Sequence, residues 1–267
     1  MDYSEWNVGL KGGLMINDQI WSNLHVPTHY WHFGPMGGLV VEYCPNIHEY
    51  PLGGHMTIGL EALYAMRGTN MSYDHDFLTS YTQMGVSKNE YHSTYNCLEA
   101  RIPVTFYVGI QEHLKPYIVL APTFTYVMGG TMNWKKSYTS WPLGDEDIAD
   151  TKNVYEASCD IGDANMKRID VGVLVGAGLW WRYLTKHYYY IFKFEAAYNY
   201  GFIDSFSSQE KINSEGNVEV NQQLGMGDLS YEPVGTRHNQ SFEVTASVIF
   251  PIKKILKGAC RRWGDYD

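Results

Sequence analysis

The feature that most limits what this chain can fold into is a two-residue alternation that starts at Trp6 and recurs in eight segments. It is clearest where Tyr188, Tyr190, Phe192, Phe194, Ala196, Tyr198 and Tyr200 alternate with Tyr189, Ile191, Lys193, Glu195, Ala197 and Asn199. Successive side chains of an extended strand point to opposite faces, so this run has one apolar face and one face that carries charge. Tyrosines mark the ends of the apolar face and phenylalanines its middle, the order expected where aromatic girdles flank a lipid band. A soluble lipocalin-like barrel or a sandwich also alternates. Its apolar face would point inward, and periodicity alone does not tell inside from outside; the aromatic ends favour the membrane.

The other segments repeat the pattern. Trp6, Val8, Leu10, Leu14 and Ile16 oppose Asn7, Gly9, Lys11, Gly13 and Asn17, and Leu39, Val41 and Tyr43 oppose Val40, Glu42 and Cys44. The run from Met56 to Arg67 sets Ile58, Leu60 and Tyr64 against Gly59, Glu61 and Arg67, and the run from Cys97 to Tyr107 sets Leu98, Ile102 and Phe106 against Glu99, Arg101 and Pro103. Tyr117 to Met128 is apolar on both sides, so its facing stays open. Val171, Val175 and Leu179 oppose Asp170, Gly176 and Gly178, and Phe242, Val244 and Phe250 oppose Ser241, Glu243 and Thr245. The predicted fold class is all-β, an eight-stranded antiparallel transmembrane barrel, with residues 1–250 in the barrel and 251–267 as a periplasmic tail.

Connection lengths give a second clue. Short ones are expected at Pro45 to Gly54, Val108 to Pro116 and Leu184 to His187, and long ones at Asp18 to Gly37, Gly68 to Tyr95, Gly129 to Lys167 and Asp204 to Asn239. Short periplasmic and long extracellular connections, with both termini periplasmic, are the barrel arrangement. No stretch approaches the roughly 20 apolar residues of a spanning helix. A chain of this kind crosses lipid only as a closed barrel, because lipid leaves open strand edges unsatisfied. Tyr and Trp suit membrane interfaces, and the chain holds 22 and 8 of them. A net charge of −9 argues against a nucleic-acid partner. No charged n-region with an apolar h-region opens the sequence, and a signal peptide is expected to have been removed.

Three stretches resemble a known family: "WNVGLKGGLMIN", then "NCLEARIPVTFYVG" followed by "LKPYIVLAPTFTYVMGG", and "DVGVLVGAGLWWRY". They resemble the PorT-like outer-membrane barrels of Bacteroidetes over most of Trp6 to Phe250. The resemblance implies the barrel fold and the bacterial outer membrane. It also points to the type 9 secretion system, to which members such as PorT and PorG belong, and it supplies no catalytic residues. The long loops and a basic extension after the last strand depart from the family pattern.

The charged faces hold Lys11, Arg67, Arg101 and Lys193 with Glu42, Glu61, Glu99, Asp170, Glu195 and Glu243. Each Lys or Arg on the lipid face would cost roughly 2 to 4 kcal/mol near the midplane, so these residues are expected inside, as a network of ion pairs. A catalytic carboxylate pair is the less favoured reading, because both signs are present in near balance. No GxSxG elbow or HExxH motif occurs, no cofactor is expected, and the chain reads as non-enzymatic. His25, His29 and His32 in "HVPTHYWHFG" are a conceivable imidazole set, but ordinary loop packing is preferred and no metal is expected. Asp74, His75 and Asp76 read as a solvated loop tip rather than a calcium site.

After Phe250, Ile252, Ile255, Leu256 and Trp263 recur at helical spacing, with Lys253, Lys254, Lys257, Arg261 and Arg262 mostly on the other side. This basic amphipathic segment is expected to dock a periplasmic protein partner or to lie on lipid headgroups. No cysteine spacing suits zinc. Barrel topology permits disulfides Cys44–Cys260 at the periplasmic rim and Cys97–Cys159 at the extracellular one. The functional expectation is an anchor or structural component of envelope or secretion machinery. The alternatives are a surface-binding or adhesion barrel using its long loops and, less favoured, a narrow pore.

Overall fold

The computed structural model describes residues 5–21, 28–45, 56–80, 83–108, 114–142, 150–161, 166–184, 189–205, 211–212, 218–219 and 237–252. The strands among them are β1 (Glu5–Trp21), β2 (Thr28–Tyr30), β3 (His32–Cys44), β4 (Met56–Ser80), β5 (Gln83–Arg101), β6 (Val104–Tyr107) and β7 (Leu114–Pro142). They continue with β8 (Asp150–Asp160), β9 (Ile169–Leu184), β10 (Tyr189–Gly201), β11 (Lys211–Ile212), β12 (Val218–Glu219) and β13 (Arg237–Ile252).

Eight staves close a ring in the order β4, β3, β1, β13, β10, β9, β7, β5, with β5 returning to β4, and neighbours are antiparallel. Closure removes sheet edges, which is what lets a sheet sit in lipid. Pro103 has no N–H for the ladder, so regular pairing lapses between β5 and β6. Ile102 N still donates to Pro122 O at 3.2 Å, and Pro103 O accepts from Gly59 N at 2.8 Å, so β5 and β6 form one stave.

The faces separate as a membrane barrel requires. Leu10, Leu39, Leu60, Leu98, Leu120, Val175, Phe194 and Val244 point outward, each about half exposed, whereas Lys11, Glu61, Glu99, Arg101, Lys193 and Glu243 are buried inside. A soluble barrel would show the reverse. The stretch left open by its sequence resolves the same way: Tyr117, Val119, Ala121, Thr123, Thr125 and Val127 face in, and Ile118, Leu120, Phe124 and Tyr126 face out. Its inner face is apolar because it builds a core inside the barrel with Leu174, Trp180, Ile191, Ala197 and Ile249. Met15, Met36, Leu63 and Ala65 form a second such core, so the interior is charged in its centre and apolar at its flanks.

The long connections differ from expectation. Residues 68–95 are a paired hairpin rather than a loop, running from Gly68↔Thr94 to Ser80↔Gln83. Residues 129–142 likewise continue β7, and β8 pairs with them from Thr131↔Asp160 upward. At one rim Trp6 pairs with Ile252, so both ends of the barrel leave on the side opposite the long hairpins. Ile252, expected in the tail, is the last residue of β13.

Above the lipid band the wall turns inside out. Outward on β5 the row reads Ala100, Leu98, Asn96, Thr94, His92, Glu90, changing from apolar to polar at Asn96. Inward, above Tyr95, Met71, Tyr91, Met132 and Ile161 are buried. β7 makes the change through a bulge: Asn96 pairs with Gly129 but Cys97 with Val127, so one extra residue swaps which β7 side chains face in.

Candidate functional site

Four cations and five glutamates meet in the lumen. Lys11 Nζ lies 3.0 Å from Glu61 Oε1 and 2.9 Å from Glu195 Oε1. Lys193 pairs with Glu42. Arg101 Nε donates to Glu99 Oε1 at 2.7 Å and its two terminal nitrogens reach Glu243 at 2.8 and 2.9 Å. Arg67 Nη2 lies 2.6 Å from Glu99 Oε2. In the ring β5 and β13 are four staves apart by either route, so the Arg101–Glu243 contact crosses the full diameter. An eight-stave barrel is just wide enough for side chains to fill, and this Arg–carboxylate ion pair, hydrogen-bonded through Nη2 to Oε1, spans the lumen.

Residues outside the charged set complete the network. Asn199 Nδ2 donates to Glu99 Oε1 at 3.1 Å, Ser241 to Glu243 at 3.1 Å, and the Tyr117 hydroxyl to Glu195 Oε2 at 3.1 Å. Gly178 makes room for that tyrosine: a Cβ there would sit 2.5 Å from Tyr117 Cζ and Oη. Tyr117 was hidden in the stretch of ambiguous facing, and its pairing with a glycine was the available signal. Asp170 is buried at the top of the barrel, where Asn239 Nδ2 and Ile203 N donate to it at 3.0 and 3.2 Å.

His29 and His32 do not share partners. His25 lies outside the described residues. His29 Nδ1 is 2.8 Å from Asp18 Oδ1, on a carboxylate that also accepts from Thr69 Oγ1 at 3.1 Å and Gln240 Nε2 at 3.1 Å. Asp18 thereby ties together β2, β4 and β13 where β1 has passed its last pairing with β3, Asn17↔His32. His32 instead packs over Gly68, where a Cβ would meet its Nε2 at 2.6 Å, with the His92 ring 5.8 Å away. Burial, and then the neighbouring His92, hold the His32 imidazole below the ordinary histidine range. Among the described residues no group of three or more His, Cys, Asp or Glu is placed to hold a metal ion.

Asp74, His75 and Asp76 lie on the β4 arm of the long hairpin rather than at a loop tip. Cys97, expected near the extracellular end of its strand, lies well below the end of β5 and is a buried free thiol in the lumen. It pairs across to Val127, whereas Cys159 pairs to Met132 five residues along the same strand, beyond disulfide reach, so the expected Cys97–Cys159 bridge is not formed. Cys44 ends β3, and Cys260 lies outside the described residues, as do Lys253, Lys254, Ile255, Leu256, Lys257, Arg261, Arg262 and Trp263.

A cleft of about 550 Å³ lies on the outer wall above the lipid band. Its floor comes from Asn70 on β4, Glu90 and His92 on β5, and Asn133 and Lys135 on β7. Ser158 of β8 and the exposed Tyr30 ring of β2 rise beside it. His92 Nδ1 is hydrogen-bonded to Asn70 Oδ1, and Glu90 pairs with Lys88 at 3.1 Å. A smaller groove of about 310 Å³ lies over Asp18 and His29, bordered by Trp31, Tyr198 and Phe242.

A closed ring with an apolar exterior and a charged lumen defines a transmembrane β-barrel. Comparison with known families agrees: residues 2–207 match the outer membrane protein beta-barrel domain, and the chain belongs to that family of the outer membrane. No curated protein sequence matches it. Among solved structures it is similar to Ail, the attachment invasion locus protein of Yersinia pestis, in complex with the heparin analogue sucrose octasulfate. That likeness has 11% identity over 92% of this chain and 99% of that one, with a TM-score of 0.27. It is also similar to the outer membrane protease OmpT of Escherichia coli, at 11% identity over 93% and 97% of the two chains and a TM-score of 0.35.

Proposed function

We propose that this chain is a non-enzymatic, non-conducting outer-membrane barrel whose extracellular β-extension is a binding surface. The observation that carries the reading is the division of labour along the staves: ion pairs cross the lumen inside the lipid band, and above it a paired sheet presents a polar outer face with a cleft. A lumen laced by side-chain pairs is a rigid support rather than a passage. The test compares cells carrying the full chain with cells in which residues 70–92 are replaced by a two-residue turn, on a panel of immobilised glycans and extracellular proteins. Binding is expected to disappear with the hairpin, and equal binding by both would overturn the reading. A stable open conductance of the purified barrel in planar bilayers would overturn its non-conducting part.

The basic amphipathic run after Ile252 supports a second reading, a PorT-like anchor that docks periplasmic partners such as those of type 9 secretion. Removing residues 253–267 should then release stoichiometric partners from the native complex and leave barrel insertion intact. Partners retained by the truncated chain would exclude this role.

A further inference from the structure

We infer that the outer-wall cleft holds a neutral sugar of the glycolipid that surrounds the barrel, the lipopolysaccharide of the outer leaflet. The inference rests on the proposed binding surface and names its ligand class. Position is the first argument. The polar side chains that line it, Asn70, Glu90, His92, Asn133 and Lys135, stand on the continuation of the lipid-facing rows, with Met71 and Tyr91 behind them. On β5, His92 stands four residues beyond Asn96, where the outward row turns polar. At about 3.3 Å per residue and a stave tilt near 40°, the cleft centre is roughly 10 Å above the apolar band. Phospholipid headgroups occupy roughly the first 5 to 8 Å beyond the hydrocarbon, so the cleft begins where the sugars of a glycolipid begin.

Chemistry is the second argument. Asn70, Asn133, Glu90, His92 and Ser158 bring amide, carboxylate, imidazole and hydroxyl groups from four different strands around one space, beside the Tyr30 ring, 53% exposed. Hydroxyl pairs of a pyranose need donors and acceptors side by side, and its C–H face needs a ring to lie on. Apart from Lys135 and the Glu90 carboxylate, which is paired with Lys88, the polar groups around the cleft are uncharged, which suits a neutral sugar better than a phosphate. The His92–Asn70 hydrogen bond fixes two of these groups before anything binds, which lowers the ordering cost.

The full chain, purified in mild detergent, would be titrated with rough-type lipopolysaccharide, with the same core oligosaccharide freed of lipid, and with phosphatidylethanolamine, reading bound mass by native mass spectrometry. The wild type should retain lipopolysaccharide, bind the free oligosaccharide at least about tenfold more weakly and show no comparable selectivity for phosphatidylethanolamine. Asn70→Ala with Asn133→Ala, and Tyr30→Ala separately, should each lower lipopolysaccharide retention on the order of tenfold, the scale of one or two lost hydrogen bonds. Heat-modifiable migration on gels reports that the variants are folded. Equal retention by wild type and folded variants, or equal binding of phosphatidylethanolamine, overturns the inference. Free oligosaccharide binding as tightly as lipopolysaccharide overturns the membrane source. The hairpin-trimmed cells test the underlying surface independently, since their glycan panel contains no membrane lipid.

Discussion

The lower and upper halves of the same staves obey opposite rules. In the lipid band Leu98 and Phe194 face out and Glu99 and Lys193 face in; above it Thr94 and His92 face out and Met71 and Tyr91 face in. The strands are continuous across the change, so the backbone ladder does not dictate which face is apolar. The solvent does: lipid draws apolar groups outward and leaves charges to pair inside, and water reverses both preferences. A single barrel can therefore be membrane protein below and water-soluble sheet above, with its recognition chemistry on what was the lipid face.

The sharpest way to break this comparison is at the lumen. Arg101→Met leaves Glu99 and Glu243 with less compensation and should lower unfolding stability by roughly 3 to 5 kcal/mol, with part recovered in Arg101→Met/Glu243→Met, read from urea titrations of the refolded barrel. The outward row gives a matched pair next. Ile102→Arg should cost about 2 to 4 kcal/mol near the midplane, while Thr94→Arg, eight residues higher on the same face, should change little; equal costs would show that the lipid band is misplaced. Met71→Asp tests the upper interior: about 1 to 3 kcal/mol should be lost there, seen as faster protease nicking of the hairpin on intact cells with barrel insertion unchanged. Gly178→Val should displace the Tyr117 ring and cost roughly 1 to 3 kcal/mol in the same titration. The smallest effect is a null one: Cys97 should resist maleimide in the folded barrel and react fully in urea, and rapid labelling of the folded form would refute a packed lumen.

The eight staves were legible because lipid imposes one strong alternation on all of them. Lys193 and Glu195, flanked by Phe192, Phe194 and Ala196, can face only one way. The upper sheet was not legible, because its alternation is weaker and inverted: around Asn70 and His92 apolar and polar side chains differ too little to announce a strand, and only pairing between the two arms reveals it. Tyr117 to Val127 stayed ambiguous for the opposite reason, since a lumen core makes both faces apolar. The outer cleft had no local signal, as its groups come from five strands and all of them stood in what reads as loops: Tyr30 in the first, Asn70, Glu90 and His92 in the second, and Asn133, Lys135 and Ser158 in the third. The Cys97–Cys159 expectation failed with the loop expected from Gly129 to Lys167, because turning it into strand put several residues of rigid ladder between the two cysteine positions.

The bulge opposite Asn96 places the exchange of faces on β7 under the control of chain length. Which β7 residues meet water above the bilayer depends there on one residue being surplus, so a single-codon deletion at that point would present Met132 to the outside and draw Asn133 into the interior. For a surface under pressure to change what it displays, a length change of one residue offers a route that no substitution within β7 provides.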